Sequence, residues 1–248
     1  MIKSSYRKCR TFYHKLKFYC SVNWTKTLYF NFKKFPFQTA KKLPIFFYKR
    51  VKFTSISGEI QIDGKIQKGM IGFGQPYELN TVHRGIAEIN IQGKLIFKGK
   101  FQFGKDYFLF VGENAVCELG NMSSMASNAK LICLEKVILG NYVRLGAESQ
   151  IIDTNFHDMI DTVTGEKQQK TGPIFIGNYN FSGSRISIMK NTKTPDFCTI
   201  ATNSFCNKDY TSLGNTILIG GIPAKLIRTN ISRDWEGEKE QLEDFLTI

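Results

Sequence analysis

From about Ser55 onward the apolar positions of this chain fall two apart and then recur six residues on, as in Ile89 and Ile91, Leu95 and Phe97, Phe101 and Phe103. Alternation of this kind belongs to strands, whose successive side chains point to opposite faces, and the 3.6-residue period of a helix is absent there. Further on the count becomes strict: Leu139-Gly140, Leu145-Gly146 and Ile151, then Ile176-Gly177, Ser182-Gly183, Ile188, Thr194, Ile200-Ala201 and Cys206. Between the pairs stand Gly112-Glu113-Asn114, Gly120-Asn121, Gly140-Asn141 and Gly177-Asn178, which is turn chemistry spaced by short strands.

A six-residue period is a solenoid signal, because one hexad cannot bury its apolar face without a stacked neighbour. Three hexads make one triangular coil, so the stretch from Ser55 to about Ile222 has room for about eight coils of roughly eighteen residues, one interruption set aside. That interruption, residues 153–173, opens with Asp153-Thr154-Asn155-Phe156-His157 and holds the last of the chain's three histidines. Upstream hexads are less regular, with a two-residue slip between Val137 and Leu139 and an ill-fitting segment from Gly74 to Arg84, and loops are expected at both points. The pattern divides the chain into an arm (residues 1–52), a β-helix (residues 53–228) and a short C-terminal helix (residues 229–248). The last is expected because Ser232 is a good N-cap ahead of early acids, and Leu242, Phe245 and Leu246 supply one apolar face.

Hydrophobic residues at 42% and aromatics at 13% exclude a disordered chain, and no uncharged apolar run is long enough to span a bilayer. The formal charge of +13 is concentrated: residues 1–50 hold 13 Lys or Arg and no Asp or Glu, while the remainder holds 21 of each sign. Within the arm the bases alternate with aromatics, as in Lys15-Leu16-Lys17-Phe18-Tyr19 and Phe30-Asn31-Phe32-Lys33-Lys34-Phe35. Pro36 and Pro44 break it into short pieces, so a partly helical arm is expected, with one or two helical stretches and an extended approach to the next domain. Such a segment suits an anionic surface, and peripheral contact of residues 1–50 with the inner face of the cytoplasmic membrane is expected, with a solvated basic tail packed on the protein as the alternative. Nucleic acid has no motif behind the charge. The six cysteines (Cys9, Cys20, Cys117, Cys133, Cys198, Cys206) show no C-x-x-C spacing and no secretory leader precedes them, so reduced thiols in a cytoplasmic protein are expected.

Four stretches taken together resemble the hexapeptide-repeat acyltransferases, and in particular the branch that acetylates sugars of bacterial capsules and surface polysaccharides. They are Leu139 to Gly146, Asp153 to His157, Ile174 to Asn178, and the closing Ile219-Gly220-Gly221-Ile222-Pro223-Ala224-Lys225-Leu226-Ile227-Arg228. Tyr29 to Lys33 and Ala40 to Pro44 add a weaker match. The resemblance implies an all-β fold, a left-handed parallel β-helix; a homotrimer; and acetyl-CoA bound in each cleft between adjacent β-helices as the acyl donor for a saccharide acceptor. Handedness is the part the residues alone could not supply, since parallel crossovers are right-handed by default.

Acetyl transfer from a thioester to a sugar hydroxyl requires removal of the hydroxyl proton as the oxygen attacks, and an imidazole titrating near about 6.5 suits that task. His157 matches the family's catalytic position and is the candidate base. Asp153 and Asn155 could orient it, bind the acceptor, or satisfy turn backbone. By resemblance, the main chain around Ser182, Gly183 and Ser184 is the candidate oxyanion donor, the pantetheine arm lies beside Gly183 and Ala201, and Asn207, Lys208 and Lys225 flank the nucleotide end. The chain departs from the family at Ser182, where an isoleucine is common, and at Asn191, where a glycine is expected. Three histidine ligands around one zinc, as in the γ-class carbonic anhydrases of the same fold, are not expected from His14, His83 and His157, and no metal is expected. The reading is an acetyl-CoA-dependent O-acetyltransferase acting on a capsular or surface polysaccharide or its precursor. The alternatives are an N-acetyltransferase on an amino sugar and a non-catalytic solenoid that docks through its basic arm.

Overall fold

The computed structural model describes residue 16, residues 19–75, residues 85–239 and residue 243. Three sheets form the sides of a prism around which the chain winds as a parallel β-helix. The first face runs through Ile45–Phe47, Ile71–Phe73, Phe101–Phe103, Ser123–Met125, Arg144–Leu145, Phe181–Ser182, Thr199–Ile200 and Ile217–Gly221, all parallel. The second includes Val51–Ile56, Ala87–Ile91, Phe108–Val111, Lys130–Cys133, Gln150–Ile152, Ser187–Met189 and Phe205–Cys206; the third includes Glu59–Ile62, Lys94–Phe97, Val116–Leu119, Lys136–Leu139, Ile174–Ile176 and Lys193–Thr194. The expected slip at Val137 and Leu139 is not a loop. Both residues point inward from one four-residue strand, like Cys117 and Leu119 beneath them, because longer sides bury two residues rather than one. The segment Gly74 to Arg84 lies outside the described residues from residue 76 on.

Parallel pairing stacks like positions at the spacing of neighbouring strands, about 4.8 Å, and this sets the core. Phe73 lies between Phe47 and Phe103 with ring centroids 5.1 and 4.9 Å apart and planes within 14° and 10°. Leu109, Leu131, Ile151 and Ile188 form a similar column on the second face. Corners are tight turns in which one residue takes a left-handed backbone: Tyr142, Glu148, Tyr179, Arg185, Asn191, Phe197 and Asn203 all have φ between 54° and 65°. Asn191 therefore stands where the backbone favours glycine, and asparagine is among the side chains that tolerate it.

Along the corner between third and first faces the coils are laced by side chains. Asn141 Oδ1 accepts from Asn121 N at 2.8 Å, Asn178 Oδ1 from Asn141 N at 2.9 Å, and Asp196 Oδ1 from Asn178 N at 2.7 Å. Beside this ladder Tyr142, Tyr179 and Phe197 stack at 4.9 Å each, with Trp235 edge-on to Tyr179 at 5.7 Å.

Both ends are closed. At the start, the helix Trp24–Lys34, N-capped by Asn23, lies against the strand Ile45–Phe47, so the solenoid begins ahead of residue 53. Phe47 N donates to Thr27 Oγ1, while Asn31 accepts from Ile45 N and donates to Ile45 O, which replaces a neighbouring strand with polar helix side chains. Lys34 Nζ donates to the carbonyls of Ile56 and Gly58. At the finish, Ala224–Thr229 folds back antiparallel on Ile217–Gly221 after the cis Ile222-Pro223 bond. Beyond it the turn at residues 235–238 is capped by Asp234, whose Oδ1 accepts from Gly237 N at 2.9 Å, two residues later than the Ser232 cap expected; Leu242, Phe245 and Leu246 lie outside the described residues.

Candidate active site

The loop 153–173 leaves the prism at the corner between second and third faces, and Asp153 roots it. Asp153 is fully buried, with Oδ1 accepting from Leu134 N at 2.7 Å and Oδ2 accepting from Glu135 N and Lys136 N at 2.8 and 2.9 Å. This carboxylate satisfies the turn of the preceding coil, the last of the three roles open to it from sequence. A bridge between Thr154 and Thr171 and a bond from Asn155 N to Lys170 O at 2.9 Å close the stem. Lys190 Nζ, from the next coil, donates to Gln169 O. Above the stem, Met159–Ile160 and Lys167–Gln168 form a small hairpin whose tip is held by Asp161 Oδ1, which accepts from Val163 N and Thr164 N at 2.8 and 2.9 Å. Those bonds hold the Asp161 carboxyl below the usual range.

His157 follows Phe156, which takes φ 61°, and Thr154 Oγ1 accepts from Phe156 N at 2.9 Å in the same turn. The imidazole is exposed and has no hydrogen bond or ion pair among the described residues, so both ring nitrogens are open to a ligand. Phe156, Met159, Ile160 and Val163 of the same loop are exposed as well. Asn155 is half-buried at the stem. His14 and His83 lie outside the described residues, and among the described residues no cluster of His, Cys, Asp and Glu suits a metal ion.

The residues assigned to the acyl donor divide between two edges. Gly183 and Ser184 sit on the corner between first and second faces one coil above Gly146, and Ala201 sits on the next coil up, one below Gly220. Here glycine is needed: a Cβ on Gly183 would lie 2.2 Å from Thr202 Oγ1, and one on Gly146 would lie 2.5 Å from Gly183 O. Lys225 pairs with Gly220 across the final hairpin and so ends this same edge. Asn207 and Lys208 are instead on the opposite edge of the second face, that of His157, where Lys208 Nζ lies 5.5 Å from the Tyr210 ring centroid.

Around Ser182 the hydrogen bonds separate the possible oxyanion donors. Ser182 is buried between Leu145 and Ile200; its hydroxyl accepts from Gly146 N at 3.1 Å and donates to Gly183 O at 3.0 Å. Gly183 N donates to Ile200 O at 2.9 Å. The Gly183 amide is thus occupied, whereas the Ser184 amide has no protein acceptor among the described residues. Sequence reasoning named the trio but could not choose within it. The isoleucine-to-serine departure is thus satisfied inside the core, away from the edge.

Cys117, Cys133, Cys198 and Cys206 are buried in the lumen. Burial pushes Cys198 and Cys206 up to about 12, and the neighbouring Cys117 together with burial raises Cys133 further.

No protein-family model matches the chain, and neither does any curated protein. Among solved structures it is similar to the polySia-specific acetyltransferase NeuO, at 15% identity and a TM-score of 0.49, over 82% of this chain and 86% of that one. It is also similar to the hexapeptide-repeat acetyltransferase VCA0836 of Vibrio cholerae O1 biovar eltor, solved with acetyl coenzyme A, at 20% identity and a TM-score of 0.42, over 50% of this chain and 64% of that one. A third is AntD, an N-acyltransferase from Bacillus cereus solved with dTDP and 3-hydroxybutyryl-CoA, at 12% identity and a TM-score of 0.46, over 86% of this chain and 98% of that one. The architecture itself rests on the strand pairing.

Proposed function

We propose that the chain is an acetyl-CoA-dependent O-acetyltransferase acting on a sugar hydroxyl of a capsular or surface polysaccharide or its precursor. The observation that carries this reading is His157: an exposed imidazole with no partner among the described residues, on the loop 153–173 that interrupts the coil, held by a root that uses three backbone amides of the preceding coil. His157 takes the proton of the acceptor hydroxyl as its oxygen bonds to the thioester carbonyl carbon. The C–S bond then breaks, and the imidazolium returns the proton to the leaving thiolate. Charge gathering on the carbonyl oxygen meets the Ser184 amide, while Gly183 and Ala201 leave the edge open for the pantetheine arm and Lys225 lies at its end for a phosphate.

Base and amide stand on opposite edges of the second face, so a site that uses both joins the His157 edge of one copy to the Ser184 edge of the next. This supports the homotrimer. The outer side of the second face fits it too, since Phe110, Ile132, Ile152 and Met189 are in register there as a half-buried apolar column. An amino sugar would use the same groups with nitrogen as nucleophile.

The test is release of free thiol from acetyl-CoA with a panel of glycans, with mass analysis of the acceptor. His157→Ala is expected to lower the rate by about 10²- to 10⁴-fold. A wild-type rate in that variant removes the mechanism.

A further inference from the structure

The helix that closes the start of the solenoid also carries apolar side chains on the side turned away from it. Its inner side, Thr27, Phe30 and Asn31, is buried against the first coil. Its outer side carries Leu28 and Phe32, 43% and 48% exposed, with Tyr29 (54%) and Phe37 (66%) beside them and the Phe37 ring 6.1 Å from Phe32. Trp24 (38%) stands at the margin, one side of its ring edge-on to buried Phe46 at 5.6 Å and stacked on Tyr19 at 6.3 Å, the rest open to solvent. Lys33 stands next to Phe32, and Lys41 and Lys42 follow Phe37, with Lys41 Nζ 5.9 Å from the Phe37 ring centroid; none of the three pairs with a carboxylate among the described residues. The first acidic residue in the whole chain is Glu59.

We propose that this end of the β-helix is a docking surface for an anionic phospholipid bilayer, with Leu28, Phe32 and Phe37 entering the headgroup boundary, Trp24 at their margin, and Lys33, Lys41 and Lys42 meeting lipid phosphates. The inference is independent of the acyl-transfer reading. Charge complementarity alone would equally suit a nucleic acid, but a phosphodiester backbone has no use for contiguous exposed apolar side chains. An interfacial helix needs both a bulky apolar stripe and basic flanks. Here the stripe is set at the tip of the prism, on a helix whose other side is fastened by Thr27 and Asn31, so the patch is presented without any segment having to fold on contact.

The experiment uses the full chain carrying Trp235→Phe, so that Trp24 is its only tryptophan, mixed with vesicles of phosphatidylglycerol and phosphatidylcholine or of phosphatidylcholine alone. Expected are co-sedimentation and a blue shift of Trp24 fluorescence with the anionic vesicles only. Each basic residue near such a surface is worth roughly fivefold in partition, so Lys33→Glu/Lys41→Glu/Lys42→Glu should weaken binding on the order of 100-fold. Leu28→Ser/Phe32→Ser/Phe37→Ser changes only exposed side chains; its circular dichroism should match the parent while its vesicle binding is lost. Three results overturn the proposal: no binding to anionic vesicles, undiminished binding by the folded serine variant, or displacement from vesicles by poly(U) that leaves Trp24 in a polar environment.

Discussion

Replacing Asp153 separates a residue that builds the loop from one that binds substrate. Its carboxylate is inaccessible and accepts three main-chain bonds at 2.7 to 2.9 Å, from Leu134, Glu135 and Lys136. Asparagine has one acceptor oxygen; placed where Oδ2 stands it keeps the bonds from Glu135 and Lys136, but its NH₂ then faces the Leu134 N–H. The loss is one charge-assisted bond and the charge on the other two, about 2 to 3 kcal/mol. Alanine leaves all three amides unsatisfied and should cost about 4 to 5 kcal/mol, at the upper end for a single substitution. Urea unfolding measures both, as a lower midpoint with an unchanged slope. Amide exchange should quicken at residues 134–136 and at the stem residues 155 and 172, whose bonds to Lys170 O and Asp153 O depend on the same root. Catalysis in the asparagine variant should fall through misplacement of His157, with acceptor KM and kcat both affected. Full stability together with a rise confined to acceptor KM would refute the reasoning and return Asp153 to the acceptor site.

Phe73→Ala, which removes the middle ring of the buried Phe47–Phe73–Phe103 stack, should destabilise by about 3 to 5 kcal/mol in denaturant titration. Gly183→Ala forces a Cβ to within 2.8 Å of Thr202 N, so a loss of about 1 to 3 kcal/mol is expected, and acetyl-CoA affinity should drop because the edge itself shifts. The folded pKa of Asp161 is lowered by its bonds from Thr164 and Val163, so its contribution is complete above the ordinary value of 3.8 and is lost as pH falls through the folded value. Exchange at the Val163 and Thr164 amides should therefore accelerate in that acid window, and should not in Asp161→Asn.

The coil was legible because inward residues recur locally, whatever lies above or below them. What sequence could not reach were relations between coils. Asp153 looks like part of a histidine motif, yet its partners are residues 134–136, one coil back, at a separation no local pattern marks. Ser182 looks like decay of the repeat, but its hydroxyl is shared by Gly146 N and Gly183 O, so the small side chain is satisfied in the core. Lys208 and Lys225 seemed equivalent candidates for the nucleotide end, and the winding puts them on different edges. Helical structure in the arm was legible, but the capping role of the Trp24–Lys34 helix was not, because Thr27 and Asn31 take the bonds of a neighbouring strand at residues 45 and 47, far along the chain.

That substitution of a helix for a strand bears on what the protein does not become. A stack of near-identical coils has no internal reason to stop, and an open coil at either tip would accept the tip of another molecule in the same register. Here one tip offers the outer side of a helix, and on the first face of the other Ala224–Thr229 runs against the stacking direction. The length of the solenoid is therefore set by two short terminators and not by exhaustion of the repeat. Thr27→Val/Asn31→Leu, by freeing the donors and acceptors of residues 45 and 47, would turn a discrete molecule toward head-to-tail filaments.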